Sequence, residues 1–270
     1  SIPVADGGEG TFYWNTADLS TEVAGDTEQG IYVAPDSDPT GASGAWVRRF
    51  SGAVNVKWFG AKGDGTTDDT AAVEGARDTL SAEVFFPAGT YVVSQVFHST
   101  DHQTWRGEGK GKTTITKANG NALIVVWIEA GTDGASLRDL TVDGNRANND
   151  SGGAGVAPDV YAIEAVNLTF DNVEFKNADY YNLYLDGCYQ ADGKYQHRII
   201  NCSFSNFRVG GIGLSYSNAS SGRATGNTMI DNCDFIDNIN AAGGSSSCIW
   251  AITDVLATVP GPLNVQINNC

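Results

Sequence analysis

Leu137-Arg138-Asp139-Leu140-Thr141-Val142 is the first copy of a six-residue pattern whose recurrence decides the architecture of this chain. The pattern returns as Phe170-Asp171-Asn172-Val173-Glu174-Phe175, as Ile199-Ile200-Asn201-Cys202-Ser203-Phe204 and as Ile230-Asp231-Asn232-Cys233-Asp234-Phe235. A fifth copy opens at Ile267-Asn268-Asn269-Cys270. Successive copies start 33, 29, 31 and 37 residues apart. Each carries an apolar residue, Asn or Asp two places on, a small apolar residue next, and Val or Phe two beyond. A unit of roughly 20 to 50 residues cannot bury its own apolar face, so such repeats stack into a solenoid.

The solenoid is built of strands. Within each copy the alternation has period two, which turns Leu140/Val142, Val173/Phe175, Cys202/Phe204 and Cys233/Phe235 inward. The spacers are rich in Gly, Asn, Asp and Ser, which punctuate strands and disfavour helices. A second strand is expected in each repeat, at Tyr161–Ala165, Asn182–Asp186, Gly211–Ser215 and Cys248–Ile252. If each repeat is one coil, equivalent residues lie about 4.8 Å apart. Asn172, Asn201, Asn232 and Asn269 then stack at a turn with their amides bonded along the axis. Phe175, Phe204 and Phe235 stack in the core. A β-sandwich is the competing architecture, and the in-phase recurrence of several positions argues against it.

The remaining segments frame this array. Residues 1–52 form a small β-rich module, with strands expected at Gly10–Trp14, Gly30–Ala34 and Ala45–Phe50. Three strands this short make a marginal core alone, so support from a neighbouring domain or other subunits is expected. Residues 53–98 are the entrance to the solenoid. There Gly63-Asp64-Gly65 precedes Thr67 or Asp68, either of which suits the N-cap of a helix running to about Leu80. That helix is expected to cap the open end of the first coil. Asp64, Asp68 and Asp69 serve turn and cap better than calcium, so no metal and no cofactor is expected. Residues 99–270 are coils, truncated at the C-terminus. The start at Ser1 and the stop within a repeat read as an internal fragment.

Charge and cysteine content narrow the function. The net charge is −16, from 32 acidic and 16 basic residues, and no basic patch exists to neutralise phosphate. Nucleic acid and anionic membrane are therefore poor partners. No run of about 18 apolar residues offers a membrane-spanning helix, and no secretory signal opens the chain. Of the five cysteines, Cys202, Cys233 and Cys270 share one repeat position and read as a ladder of small core thiols.

Phe59-Gly-Ala-Lys-Gly-Asp64-Gly-Thr-Thr-Asp68-Asp-Thr-Ala-Ala72, followed by Phe86-Pro-Ala-Gly-Thr-Tyr91, resembles the entrance of the pectate-lyase-like right-handed parallel β-helix superfamily. Upstream, Gly30-Ile-Tyr-Val-Ala-Pro-Asp-Ser-Asp-Pro-Thr-Gly41 and Gly44-Ala-Trp46-Val-Arg48-Arg are similar to the region before the helix in bacteriophage tailspike depolymerases. The resemblance implies an all-β, right-handed parallel β-helix with a capping helix. It also implies a homotrimer on a virion tail, joined to other tail or baseplate proteins through its N-terminal region. The implied substrate is a bacterial surface polysaccharide, with no nucleic acid bound and no membrane insertion. No catalytic residue carries over, because their positions vary among tailspikes.

The chemistry must then come from outward residues of the second strand. Glycoside hydrolysis needs two carboxyl groups, one donating a proton to the leaving oxygen and one attacking or activating water. Glu164 and Asp186 are the expected pair, with Asp192 as a substitute. Tyr184 and Trp250 are expected to stack on sugar rings. A lyase needs instead a base and a cation for a uronate, for which His197 and Arg208 stand nearby. A surface acid, or a histidine leading into a core strand, more often serves the fold. A non-enzymatic adhesive or structural tail protein is the reading from another class, and a secreted pectinase-like enzyme a further one.

Overall fold

Residues 7–79, 81–121, 123–150, 157–188, 197–215, 225–236, 247–251 and 265–270 are described in this computed structural model, with Trp250 and Ala251 described by backbone alone. Parallel strands climb a right-handed β-helix on three faces. The first face runs from Val54–Asn55 through Glu83–Phe85, Thr104–Arg106, the first halves of Ser136–Asp143 and Thr169–Lys176, His197–Ile200 and Thr228–Asp231 to Val265–Asn268. The second face holds Asp64–Asp68, Gly89–Val93, Thr113–Lys117, the second halves of the two long strands, Ser203–Ser205 and Asp234–Ile236. The third holds Val96–His98, Val126–Ile128, Val160–Ile163, Tyr181–Asp186, Gly210–Ser215 and Ser247–Ala251.

Each full coil thus has three strands rather than the two expected from the alternation. The reason lies in the middle of the six-residue pattern. Asp139, Asn172, Asn201, Asn232 and Asn269 all adopt the left-handed conformation, with φ of 49–55°. Asn and Asp tolerate it because their short side chains bond locally. The chain turns there from the first face to the second, so the pattern spans a corner. The expected ladder forms along it: Asn172 Nδ2 donates to Asp139 Oδ1 at 2.6 Å and Asn232 Nδ2 to Asn201 Oδ1 at 2.8 Å. Asn201 and Asn269 reach instead to Asp171 and Asp231, at 2.9 and 3.1 Å. A second corner, between the second and third faces, repeats the device with Asn145, Asn177 and Asn206.

Inside, Phe175, Phe204 and Phe235 stack with ring centroids 5.0 Å apart in both pairs. Cys202 and Cys233 are buried thiols whose Sγ atoms lean on strand carbonyls, while Cys270 is exposed.

The entrance differs in detail from expectation. The helix spans Thr70–Asp78, with Asp69 at the N-cap, so it starts later than Thr67 or Asp68 would set it. Residues 64–68 are drawn into the second face against Thr90 and Val92, which delays it. Asp64 ties Thr66 and Thr67, Asp69 accepts from the backbone of Lys62 and Gly63, and Asp68 still accepts from Thr70 N at 3.0 Å. Leu80 lies outside the described residues. Ala72, Val73 and Ala76 of the helix are buried in one cluster with Val54, Phe59 and Phe86.

Upstream, Thr11–Asn15, Ala45–Arg49 and Tyr32–Val33 form an antiparallel sheet with Ala45–Arg49 in the centre. The buried Arg48 fixes it, donating to the carbonyls of Gly30, Glu9 and Gly8 at 2.6, 3.0 and 2.8 Å. Its guanidinium also lies against Phe12 and Trp58.

Candidate functional site on the third face

On the third face, core residues alternate with outward ones. Val126, Val160, Leu183 and Ile212 point inward, as do Ile128, Ala162, Leu185 and Leu214. The residue between each pair points out. Registered one above the next, these are Phe97, Trp127, Tyr161, Tyr184 and Gly213, and the backbone of Trp250 continues the register. An aromatic row therefore runs parallel to the solenoid axis. Ring centroids are 6.2 Å apart for Phe97–Trp127, 5.3 Å for Trp127–Tyr161 and 5.9 Å for Tyr161–Tyr184. Glycine at 213 lets the row close up, since a Cβ there would come within 2.3 Å of the Tyr184 ring. Tyr180, Tyr181 and Ile124 thicken the row into an apolar cluster separate from the core.

Carboxyl groups gather at its side. Asp186 is in register with Ile163, and its Oδ2 accepts from the Tyr161 hydroxyl at 3.0 Å. Glu164 does not lie on a strand, as expected, but at the corner just beyond, with φ of 47° and its N–H bonded to Asp186 O at 2.9 Å. Both carboxylates reach the Cys188 thiol electrostatically; burial, aided by these charges, pushes it up to about 12. The two residues are thus neighbours on adjacent coils through their backbones. Glu164 is half-buried and Asp186 is buried.

The other expected residues stand as follows. Tyr184 is in the row but only 6% exposed. Trp250 is in register with Gly213, and its side chain lies outside the described residues, as does all of Asp192. Arg208 is bound to Asp179 at 2.8 Å and to Asp150. His197 is buried: Leu168 N donates to its Nδ1 at 3.3 Å, and its Nε2 lies 2.9 Å from Cys188 O. Burial holds it down to about 4, so it is a neutral strap between coils. Phe97, Trp127 and Tyr161 were not singled out from the sequence. Their signal is an aromatic residue between two small or apolar inward ones, as in Val126-Trp127-Ile128 and Val160-Tyr161-Ala162.

One other surface compares poorly. A groove of about 690 Å³ on the second face, lined by Thr66, Thr90, Thr116 and Asn148 among others, has no aromatic ring. Among the described residues, no three His, Cys, Asp or Glu side chains converge as metal ligands.

The family described as rhamnogalacturonase A/epimerase, pectate lyase-like, matches residues 53–270. The chain belongs to that family. Its match begins beside the first solenoid strand, Val54–Asn55. Among relatives, mannuronan C5-epimerase AlgE6 of Azotobacter vinelandii is 34% identical over 147 residues, covering 47% of this chain and 17% of that protein. The pre-neck appendage protein of Bacillus phage phi29 is 29% identical over 184 residues, covering 61% of this chain and 21% of that protein. The chain therefore spans about a fifth of the length of these relatives. Among solved structures, the tailspike gp49 of the Acinetobacter baumannii phage Fri1, a capsular polysaccharide depolymerase, superposes with a TM-score of 0.60 at 15% identity. That superposition covers 90% of this chain and 46% of gp49 and supports the shared fold.

Proposed function

We propose that this chain is the polysaccharide-cleaving β-helix of a phage tail appendage, with the third face as its substrate groove. The supporting observation is that the backbones of Glu164 and Asp186 are bonded to each other at the end of the third face, beside an aromatic row that follows the axis. Long glycans suit such a row, because rings stack on the apolar faces of successive pyranoses. The half-buried Glu164 is the proton donor to the leaving oxygen. Asp186, held by the Tyr161 hydroxyl, is the second carboxyl of a hydrolytic pair. The appendage is a homotrimer on the virion, and residues 1–52 are its particle-proximal connector.

A second reading draws on the relatives, which include mannuronan C5-epimerases and alginate lyase 7 of Azotobacter vinelandii. Proton abstraction beside a uronate carboxylate needs a cation to neutralise that group. Arg208 is already committed to Asp179 and Asp150, which favours hydrolysis.

The test is incubation of the full-length appendage with capsular polysaccharides and lipopolysaccharides, following product mass and ultraviolet absorbance. Saturated fragments are expected, and Glu164→Gln and Asp186→Asn should each lower turnover about 10²–10⁴-fold, with Glu164→Gln leaving the melting temperature nearly unchanged. Fragments with an unsaturated end would replace hydrolysis by elimination. Binding without shortening would make the protein an adhesin.

A further inference from the structure

The aromatic row has an outer end that the carboxyl pair does not use. Phe97 and Trp127 are half-buried, whereas Tyr161 and Tyr184 are 7% and 6% exposed. Among the described rings, the accessible surface therefore lies at the end nearest the capping helix. That end is held firmly. Phe97 N donates to Glu74 Oε1 at 2.7 Å, and Arg77 of the same helix donates to Phe97 O at 3.0 Å. A platform whose backbone is clamped on both sides loses little entropy when a ligand lies on it.

Among the described residues, several acids stand near this end. Glu129, one residue beyond the strand Val126–Ile128, is exposed. Burial pushes the Glu74 carboxyl up, and the charges of Asp78 and Glu129 add to that, so these acids sense one another. Glu164 and Asp186 follow further along the row. Arg77, whose guanidinium bonds the Phe97 carbonyl, is paired with Glu74 and with Asp78 at 2.7 Å. Arg208, beyond the other end, is paired with Asp179 and Asp150. A polyanion laid along this row would meet carboxylates, with both of these cations already committed. An uncharged glycan meets rings for its C–H faces and carboxylate oxygens that accept from its hydroxyls.

We infer that Phe97 and Trp127 form a binding subsite for an uncharged pyranose, where a neutral polysaccharide enters the row before reaching Glu164 and Asp186. The inference rests on the glycan-processing reading of the third face and adds to it a subsite and a substrate class. One coil step is comparable with the length of one sugar, so a chain seated on Trp127 continues onto the corner one coil on.

The experiment titrates the full-length protein with neutral polysaccharides, such as dextran, mannan and neutral bacterial capsules, and with mannuronan as the polyanion. Affinity is read by calorimetry, together with the quench of tryptophan fluorescence. A neutral polymer should bind, Trp127→Ala should weaken it about tenfold, and Trp127→Phe should restore most of the loss. Glu129→Lys should raise affinity for mannuronan severalfold if the acidic rim excludes it. Equal neutral-polymer affinity in wild type and folded Trp127→Ala overturns the subsite while the cleavage reading survives. Preference for mannuronan, lost in Trp127→Ala, overturns the substrate class alone. A protein that neither binds nor shortens any polymer overturns the subsite and the glycan reading together.

Discussion

The corner between the first and second faces and the outer row of the third face both run the length of the solenoid, yet they are built on opposite rules. At the corner the same residue type recurs: Asp139, Asn172, Asn201, Asn232 and Asn269 share one left-handed conformation. Along the outer row the class persists while the residue changes, from Phe97 through Trp127 and Tyr161 to Tyr184, and then to Gly213. From Asp139 onward the corner must satisfy the same backbone geometry in each coil, so one type of side chain solves it repeatedly. An outer row has no such backbone demand, and its rings differ in size, tilt and exposure. Identity repeated in phase marks what builds the helix. Class repeated without identity marks positions on which the backbone makes no such demand.

The sharpest way to break that distinction is to truncate one ring of each kind. Phe204 is fully buried between Phe175 and Phe235. Phe204→Ala should lower unfolding free energy by about 3–5 kcal/mol, read from the denaturant midpoint. Phe97→Ala, on the half-buried row, should cost less than half of that. Equal losses would mean that the outer row is as structural as the core, and would remove the ground for assigning it to ligand.

Much of this contrast is legible in the sequence, for a physical reason. Stacking gives residues one repeat apart the same environment, so Asn201 and Asn232, or Phe204 and Phe235, are selected alike and can be found by eye. The coils that carry Phe97 and Trp127 lack the six-residue pattern. Ahead of the Asp139 corner, the equivalent turn uses Gly107, where a Cβ would sit 2.4 Å from Asp139 O. The aromatic row was therefore visible only from Tyr184 onward. The burial of Asp186 and His197 was not legible either, because local alternation states which way a side chain points and not what packs over it. Glu164 was read as an outward strand residue because nothing in Ile163-Glu164-Ala165 signals a left-handed corner; Glu is not the usual residue there.

The interior also has a pH signature that the outer row lacks. Burial holds both His98 and His197 down to about 4, against an ordinary value of 6.5. The unfolded chain takes up those protons near pH 6.5 and the folded chain only near 4. Stability should then fall as pH drops through that window, by up to about 3 kcal/mol per histidine. Asp159 acts in the opposite direction: burial raises its carboxyl, so the folded form gains relative stability as pH falls and offsets part of the loss. Urea midpoints measured between neutral pH and about pH 4 should decline, and His197→Gln should make the decline shallower. A slope unchanged by that substitution would mean that His197 is not a buried neutral strap.

The corner itself offers the finest test, because its two possible contributions can be separated at one residue. Asn201 is exposed, sits at φ 55°, donates to Asp171 and accepts from Asn232. Asn201→Gly keeps the left-handed backbone easy and removes only the ladder bonds, at a cost of about 1 kcal/mol or less for an exposed site. Asn201→Ala removes the same bonds and adds left-handed strain, for a total of about 2 kcal/mol. Denaturant midpoints of the two variants read the difference. If Gly is neutral, the amide ladder adds nothing and the repeat records a backbone requirement alone. If Ala costs no more than Gly, strain is not what the corner selects against, and the recurrence of Asn must come from the ladder.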